Sequence, residues 1–310
     1  MKAIEKFRKL VGLEKIKVQF EKYLTSVRYS REHGSYFLGH MALVGNPGTG
    51  KTTVARLFCD ILHEEGILPK GQFIQVSCHD LFGTFAGQTK AKTQVFCESA
   101  KGGVLCIDEA YGLLAENAKG YDFGLEAIEV LLEFMTSKEA ADTIIILTGY
   151  KREMIDFLGS ANPGLKSRIP WVFVFEDYTD DELTKLFQIR LDAEHMVLGT
   201  DALAFVRDYF ASLPRNKNFG NGIEIDVLYS KVKTKQFSRL QELTNPSEED
   251  FSTILLQDFP PIKQGVVLSA RSEADLCDPV KFKSEVSQII NELQYGLQQL
   301  QSKLNEFCNE

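Results

Sequence analysis

The sequence has fewer positive than negative charges and no long apolar run, and each of these features excludes a class of protein. Lysine and arginine total 35 against 43 aspartates and glutamates, so the net charge of the 310 residues is −8. A basic field over the whole surface, as expected of a protein that binds nucleic acid, is therefore not expected. No stretch approaches the roughly 20 apolar residues that cross a bilayer, and the N-terminus lacks a signal-peptide core. We expect no membrane partner and a cytoplasmic or other reducing compartment, such as a plastid.

Closely spaced cysteines are also missing. None of the six cysteines forms a CxxC pair, and the five histidines show no zinc-type spacing. Cys106 lies inside an apolar run, which is typical of a buried thiol in a reducing compartment. One small basic cluster is present, and it is either a solvated helix face or a local basic surface. Its members are Lys231, Lys233, Lys235 and Arg239.

Short apolar segments alternate with helical patterns between about residues 40 and 176. Because these segments are apolar almost throughout, they indicate an α/β fold with a parallel sheet covered on both faces. A helix is predicted before them, over about 13–30, and another over about 125–135. The predicted strands cover residues 40–44, 73–76, 104–107, 143–147 and 171–175.

After Asp177 the strand pattern ends and helical patterns continue to about Leu243. Thr179 and Glu182 have the spacing of a capping box, which predicts the start of a helix. The predicted units are a large α/β domain, a small helical domain and a linker with a C-terminal helical tail, over residues 1–176, 177–260 and 261–310.

The tail has apolar residues at alternating spacings of four and three, which predicts a heptad seam. A coiled coil with a partner and a helix packed on its own chain both explain this spacing. The seam residues are Val286, Ile290, Leu293, Leu297, Leu300, Leu304 and Phe307.

A complete phosphate-binding motif follows the first predicted strand. Residues 45–52 match G-x-x-x-x-G-K-[ST] and precede a helical segment, as the motif requires. Its glycines let backbone N–H groups converge on phosphate oxygens, and the helix N-terminus adds a favourable dipole. Lys51 is expected to bridge the β- and γ-phosphates of ATP, and Thr52 to bind Mg²⁺. The predicted nucleotide-binding residues are Asn46, Pro47, Gly48, Thr49, Gly50, Lys51, Thr52 and Thr53.

An acidic pair, Asp108 and Glu109, follows the third predicted strand. Ligands of open α/β sheets bind at the carboxyl ends of strands. Asp108 is expected to hold Mg²⁺, and Glu109 to polarise an attacking water. The pair is weak evidence alone. Together with Lys51 it predicts ATP hydrolysis, because phosphoryl transfer needs both charge neutralisation and an oriented nucleophile.

Further motifs lie at residues 10–13, 102–104, 108–111, 126–129, 149–151, 162–168 and 177–179. With the phosphate loop they resemble AAA+ ATPases of the CbbX type, which include red-type Rubisco activases and the sporulation protein SpoVK. The resemblance covers about residues 10–243. It implies a P-loop AAA+ domain with a small helical lid and ATP and Mg²⁺ as cofactors.

The resemblance also implies roles for single residues. Val11 and Gly12 would contact adenine, and Arg168 would be an arginine finger that reaches the nucleotide of a neighbouring subunit in a ring hexamer. Phe85 falls at an aromatic pore-loop position that grips a substrate polypeptide. An ordinary surface ion pair is the alternative for Arg168. A core position is the alternative for Phe85, although its small and polar neighbours favour a loop.

The sequence departs from this family at the expected nucleotide sensor. Ile223 stands where relatives carry an arginine, and Asp226 stands at a second commonly basic position. Lys166 also replaces a frequent arginine. An apolar and an acidic residue cannot replace a cation that faces phosphate. Slow hydrolysis, or weak coupling of nucleotide state to domain motion, is therefore expected.

Two functions from different classes fit these observations. The first is an ATP-hydrolysing motor that remodels a protein client, such as Rubisco or another large complex. The second is a weakly hydrolysing assembly or scaffold subunit, self-associated or in a mixed ring with an active paralogue. An ATPase that handles DNA or RNA is a third, disfavoured by the acidic charge.

Overall fold

The computed structural model describes residues 2–34, 38–85, 87–114, 123–160, 163–199, 201–217 and 219–262. All of them belong to one unit, which ends at Ile262. The predicted heptad helix, and most of the linker before it, lie outside the described residues. Cys277 and Cys308 lie outside them as well.

A five-stranded parallel sheet forms the centre of the fold, with the strand order β2-β3-β4-β1-β5. Its strands β1 and β4 are buried along their whole lengths. The α/β prediction is therefore confirmed, and each strand lies within two residues of its predicted position. The strands are β1 (Met41–Gly45), β2 (Phe73–Ser77), β3 (Val104–Asp108), β4 (Ile144–Gly149) and β5 (Trp171–Phe175).

Helices cover both faces of this sheet, and each face has its own apolar cluster. The cluster on one face contains stacked rings of Phe20 and Phe58, whose centroids are 3.6 Å apart. Phe7 packs edge-on against both rings. The helices before and between the strands are α1 (Ala3–Arg8), α2 (Glu14–Glu32), α3 (Lys51–Glu64), α4 (Gln88–Ser99), α5 (Phe123–Thr136), α6 (Lys151–Ser160) and α7 (Pro163–Arg168).

The helix after β5 begins at the predicted capping box. The Thr179 hydroxyl accepts from the Glu182 amide at 3.2 Å, and the Glu182 carboxylate accepts from the Thr179 amide at 2.8 Å. The described part of this segment has four α-helices, and the first three pack around an apolar cluster of their own. The four helices are α8 (Asp180–Asp192), α9 (Ala202–Ala211), α10 (Gly222–Glu242) and α11 (Glu248–Ser252).

The expectation that strands end at Asp177 was wrong. A short parallel pair, β6 (Val197–Leu198) and β7 (Thr253–Ile254), lies among these helices. Strands of two residues are too short to show an alternating pattern, and their pairing joins distant segments of the chain. Tertiary contacts therefore decide them.

Two side chains of the basic cluster on α10 bind other residues of this helical segment. The Lys235 ammonium donates to the Phe259 carbonyl at 2.7 Å, and Arg239 forms a 2.9 Å ion pair with buried Asp258. These contacts attach the end of the described chain to α10. They leave fewer free cations on this helix face than the sequence alone indicates.

Four cysteines are buried, as predicted for Cys106: Cys59, Cys78, Cys97 and Cys106. Over the part of the chain that the structure describes, no helix is both long enough and apolar enough to cross a membrane.

Truncation of the ring cluster should cost much stability. Phe58 is fully buried between Phe7 and Phe20, so Phe58→Ala should lower the free energy of unfolding by about 3–5 kcal/mol. Phe237 is 62% exposed on α10, and Phe237→Ala is the matched control, expected within about 0.5 kcal/mol of the wild type. Urea denaturation measures both. Equal losses for the two variants would contradict the assigned core.

Candidate functional site

The predicted phosphate loop joins β1 to α3. Gly48 and Gly50 have φ angles of +67° and +89°, a region that glycine adopts without steric cost. Gly50 is the N-cap of α3, and no side chain caps the first N–H groups of that helix. Since the first amides of a helix lack partners within it, this loop presents donors and a positive dipole end to an anion.

A cavity of about 460 Å³ lies against this loop. It brings together most of the residues predicted from the sequence with residues of β4 and α10 and with Tyr150, which immediately precedes α6. The lining residues are Pro47, Gly48, Gly50, Lys51, Thr52, Thr53, Asp108, Glu109, Gly149, Tyr150, Gly222, Ile223 and Asp226.

Two loop residues that were predicted to bind nucleotide do not line the cavity. Thr49 is buried, and its hydroxyl donates to the Asn46 carbonyl at 2.8 Å. The Asn46 side chain donates to the Asp177 carboxylate at 2.9 Å. Both side chains stabilise the shape of the loop, which leaves its backbone to face the cavity.

Lys51 supplies the positive charge of the cavity. Its ammonium donates to the carbonyls of Gly45 and Asn46 at 2.9 and 2.8 Å. Burial lowers the pKa of Lys51, while the carboxylates of Asp108 and Glu109 act in the opposite direction. Within the described residues that line the cavity, Lys51 is the only basic one.

The acidic pair lies at the carboxyl end of β3, as predicted. Asp108 Oδ1 accepts from the Thr148 hydroxyl and, at 3.1 Å, from the Glu109 amide. Glu109 is exposed and has a φ of +51°, a conformation that costs a non-glycine residue about 1–2 kcal/mol. The sharp turn places the two carboxylates in different surroundings. Asp108 is held by Thr148 and the Glu109 amide, whereas the Glu109 carboxylate lines the cavity and accepts a hydrogen bond from the Tyr111 side chain.

Sequence reasoning missed Thr148. It is a polar residue near the end of the otherwise apolar strand β4, and it is fully buried. Its hydroxyl orients the carboxylate that is expected to hold Mg²⁺. The only available signal was one polar residue in an apolar run.

Arg168 lies away from the cavity of its own chain. Its carbonyl accepts from the amide of His40, just before β1, whereas the phosphate loop follows the other end of β1. The strand between them spans about 16 Å at the usual rise. The guanidinium donates to the Gly164 carbonyl at 2.7 Å, and it makes no ion pair with any residue that the structure describes.

Phe85 is not a core residue. Its side chain is 69% exposed in the loop before α4. The Gln88 side chain accepts from the amides of Thr84 and Phe85 at 3.0 and 3.2 Å. The ring is therefore presented on the surface by a loop that is tied to the start of α4.

The predicted adenine residues are not part of the cavity lining. Val11 is buried, and Gly12 has a φ of +63° beside Glu182. A Cβ at Gly12 would lie 2.3 Å from Glu182 Oε1. The positive φ favours glycine here, a side chain would also displace the Glu182 carboxylate, and the contact of Gly12 with adenine stays a prediction.

Ile223 and Asp226 line the cavity from the first two turns of α10. Ile223 is 49% exposed, and Asp226 Oδ1 lies 3.9 Å from Arg190 Nε. The residues that replace the expected sensor cations therefore face the same space as Lys51.

The cavity fits a nucleotide phosphate group with Mg²⁺. The loop glycines form a backbone cradle at a helix N-terminus, and Lys51 provides a cation. Thr52 and Asp108 provide oxygen ligands, and magnesium sites commonly combine one or two carboxylates with substrate phosphates.

Comparison with known families matches both parts of this unit. A family model described as "ATPase family associated with various cellular activities (AAA)" matches residues 41–162. A model described as an AAA lid domain matches residues 179–267. The segment from α8 onwards is therefore called the lid.

Individual relatives agree over most of the chain. Stage V sporulation protein K of Bacillus subtilis is 35% identical over 84% of this chain and 82% of its own length. The chloroplastic ribulose bisphosphate carboxylase/oxygenase activase of Cyanidioschyzon merolae is 34% identical over 81% of this chain and 86% of its own. Protein CbbX of Cereibacter sphaeroides is 35% identical, with coverages of 75% and 76%.

Solved structures share the fold. The AAA domain of FIGL-1 matches with a TM-score of 0.53 at 15% identity, over 71% of this chain and 68% of that chain. A RuvB mutant of Thermotoga maritima matches with a TM-score of 0.53 at 18% identity, over 78% and 69%. The parallel sheet with a helical lid defines an AAA-type P-loop protein. With the relatives above, the chain belongs to the AAA+ ATPases of the CbbX type.

Removal of the cavity's cation should weaken nucleotide binding. Lys51→Ala should reduce the affinity for Mg-ATP at least tenfold, or about 1.4 kcal/mol, because nothing then neutralises the β- and γ-phosphates. Lys90 forms a surface ion pair with Glu129, and Lys90→Ala is the matched control with unchanged affinity. Calorimetry measures both. Unchanged affinity in Lys51→Ala would contradict the assignment of the loop.

Proposed function

We propose that the chain binds Mg-ATP and hydrolyses it to remodel a protein partner within a ring. The observation that carries this proposal is the single cavity shared by Lys51, Thr52, Asp108 and Glu109 at the carboxyl ends of the strands. These side chains provide charge neutralisation, metal ligands and a base in one place. That combination is what phosphoryl transfer requires.

Each residue has a separate chemical role in this proposal. Lys51 binds the β- and γ-phosphates, and Thr52 and Asp108 hold Mg²⁺, which neutralises phosphate charge when bound. Thr148 and the Glu109 amide keep the Asp108 carboxylate oriented. Glu109 is exposed to the cavity and orients the attacking water as a general base.

The active site is completed by a neighbouring subunit. Arg168 does not line its own cavity, so a role in hydrolysis requires that it reach the nucleotide of another copy. A closed ring supplies such a contact at every site. Hexameric rings are the expected assembly, either of this chain alone or mixed with an active paralogue.

The client is a protein, gripped by exposed Phe85. One relative is named a ribulose bisphosphate carboxylase/oxygenase activase, so Rubisco or another large complex is the proposed client class. For this role, the proposed location of the protein is the cytoplasm or a plastid.

A second function, a slowly hydrolysing scaffold subunit, is favoured by one observation. Ile223 and Asp226 face the cavity where cations are expected. In this alternative, bound ATP holds subunits together and turnover is slow. The two proposals differ in the hydrolysis rate of the pure chain and in the need for a paralogue.

Mixing of inactive subunits tests the shared site. Arg168→Ala should bind ATP but lose hydrolysis by about 10³-fold or more, the scale of arginine fingers. Glu109→Gln should also bind without hydrolysis. Mixed together, the two variants should recover part of the activity, because some sites then pair an intact Glu109 with an intact Arg168.

The control for this experiment is Arg207→Ala, which removes an exposed arginine paired with Asp181 in the lid. This variant should keep wild-type hydrolysis. Phosphate release measures all samples, and sedimentation confirms that mixed rings form. No recovery at any ratio in confirmed mixed rings would exclude a shared site.

Restoration of the sensor distinguishes the two functions. Ile223→Arg should strengthen the preference for ATP over ADP by about ten- to a hundredfold, because a charge-assisted contact contributes roughly 1.5–3 kcal/mol. Ile189 on α8 is equally exposed, at 49%, so Ile189→Arg is the matched control and should leave the preference unchanged. Competition binding measures the ratio. If the wild type hydrolyses ATP fast and Ile223→Arg only slows it, the absence of an arginine at position 223 does not limit this protein.

A further inference from the structure

We propose that Asp177 and Asn221 are positioning residues that hold the phosphate loop against the lid and thereby set how long a nucleotide stays bound. The inference rests on the proposed function, since it concerns nucleotide in the same cavity. The contacts among Asn46, Asp177 and Asn221 are called the latch below.

Asp177 is the centre of the latch. It lies in the connection between β5 and α8, where the chain passes from the sheet to the lid. Its carboxylate accepts from Asn46 Nδ2 at 2.9 and 3.1 Å, and from Asn221 Nδ2 at 2.8 Å. One carboxylate thus binds a side chain of the phosphate loop and a side chain of the lid. Hydrogen bonds to an ionised acceptor are about twice as strong as neutral ones.

Asn221 is fully buried, and both polar atoms of its side chain are hydrogen-bonded. Its Oδ1 accepts from the Tyr178 amide at 2.9 Å. Its Nδ2 donates to Asp177 and also to the carbonyls of Pro47 and Phe219, at 3.2 and 3.1 Å. The amide therefore joins the phosphate loop, the connection and the lid.

The backbone of Asn221 is strained, with φ +49° and ψ −112°. Such conformations persist only where the surrounding contacts hold them. Asn221 immediately precedes α10, so this conformation directs the first turn of the helix towards the loop. We therefore assign the strain to lid positioning.

Direct backbone contacts accompany the side-chain contacts. The Gly222 amide donates to the Gly48 carbonyl at 3.0 Å. A Cβ at Gly48 would lie 2.0 Å from the Gly220 carbonyl oxygen. The Tyr178 hydroxyl donates to the Thr49 carbonyl at 3.2 Å. Because no side chain separates the two backbones, the lid cannot move away without breaking these contacts.

The latch borders the cavity at its lid side. Gly222, Ile223 and Asp226 line the cavity from the first two turns of the helix that Asn221 begins. Loss of the latch frees these turns to leave the loop, which opens the cavity and loosens the backbone cradle. A nucleotide should then dissociate faster, while Lys51 and the acidic pair stay in place.

Release of fluorescent mant-ADP tests this inference in the full chain. Asp177→Ala and Asn221→Ala should each raise the dissociation rate about tenfold, measured by stopped flow against excess ADP. In the double variant, the increase in the dissociation rate should be at least about threefold smaller than the product of the two single increases. This is expected because both single variants break the same contact. Asp181→Ala removes an exposed carboxylate of α8 that pairs with Arg207, and this control should stay within about twofold of the wild type.

A conservative variant separates positioning from folding. Asp177→Asn keeps the size and one acceptor oxygen, so we expect it to fold and to release mant-ADP at a rate between those of the wild type and Asp177→Ala. Thermal unfolding without nucleotide reports the stability of each variant. If the alanine variants do not fold, the inference is tested by Asp177→Asn alone. A wild-type rate of mant-ADP release from Asp177→Asn would then overturn the inference.

The remaining outcomes distinguish this inference from the proposed function. A wild-type release rate in folded Asp177→Ala and Asn221→Ala would overturn the latch while nucleotide binding stands. The latch would also be overturned if the release rate of the double variant rose by the full product of the two single increases. If the wild type does not bind mant-ADP, or binds equally well after Lys51→Ala, the proposed function fails and the latch fails with it.

Discussion

The site depends on one constraint, that the strands of a parallel sheet end at the same edge. In this chain β1, β3 and β4 are adjacent, and their carboxyl ends carry the phosphate loop, the acidic pair and Thr148. The apolar side chains along these strands are buried on both faces. Their burial stabilises the sheet, which in turn supports an edge with a strained Glu109 and a crowded set of charges.

The lid is attached to this edge of the sheet by a different kind of interaction. Its helices have an apolar cluster of their own, whereas its contact with the phosphate loop consists of hydrogen bonds and close backbone approaches around Asn221 and Gly48. Polar contacts of this kind break individually at modest cost. An apolar core does not rearrange in small steps. The contact between the lid and the phosphate loop therefore consists of interactions that can break one at a time.

The charges that line the cavity are mostly negative. In the described part of the cavity lining, Lys51 faces two carboxylates of the acidic pair and a third from Asp226. ATP would add further negative charge to this space. Arg168 lies near the opposite end of β1 and is not among the residues that line this cavity. A second cation delivered by another copy would make hydrolysis conditional on assembly.

The sequence by itself determined the five strands of the large sheet, the helices α2, α3 and α5, the start of α8 and the phosphate loop, because each depends on local patterns. Apolar runs, the capping box of Thr179 and the spacing of Gly45 to Thr52 are properties of neighbouring residues. Only the tertiary structure decided the pairing of β6 with β7, the support of Asp108 by Thr148 and the latch between Asp177 and Asn221. Their partners are separated by about 40 or more residues. No local pattern encodes such contacts, since the packing of whole elements brings the partners together.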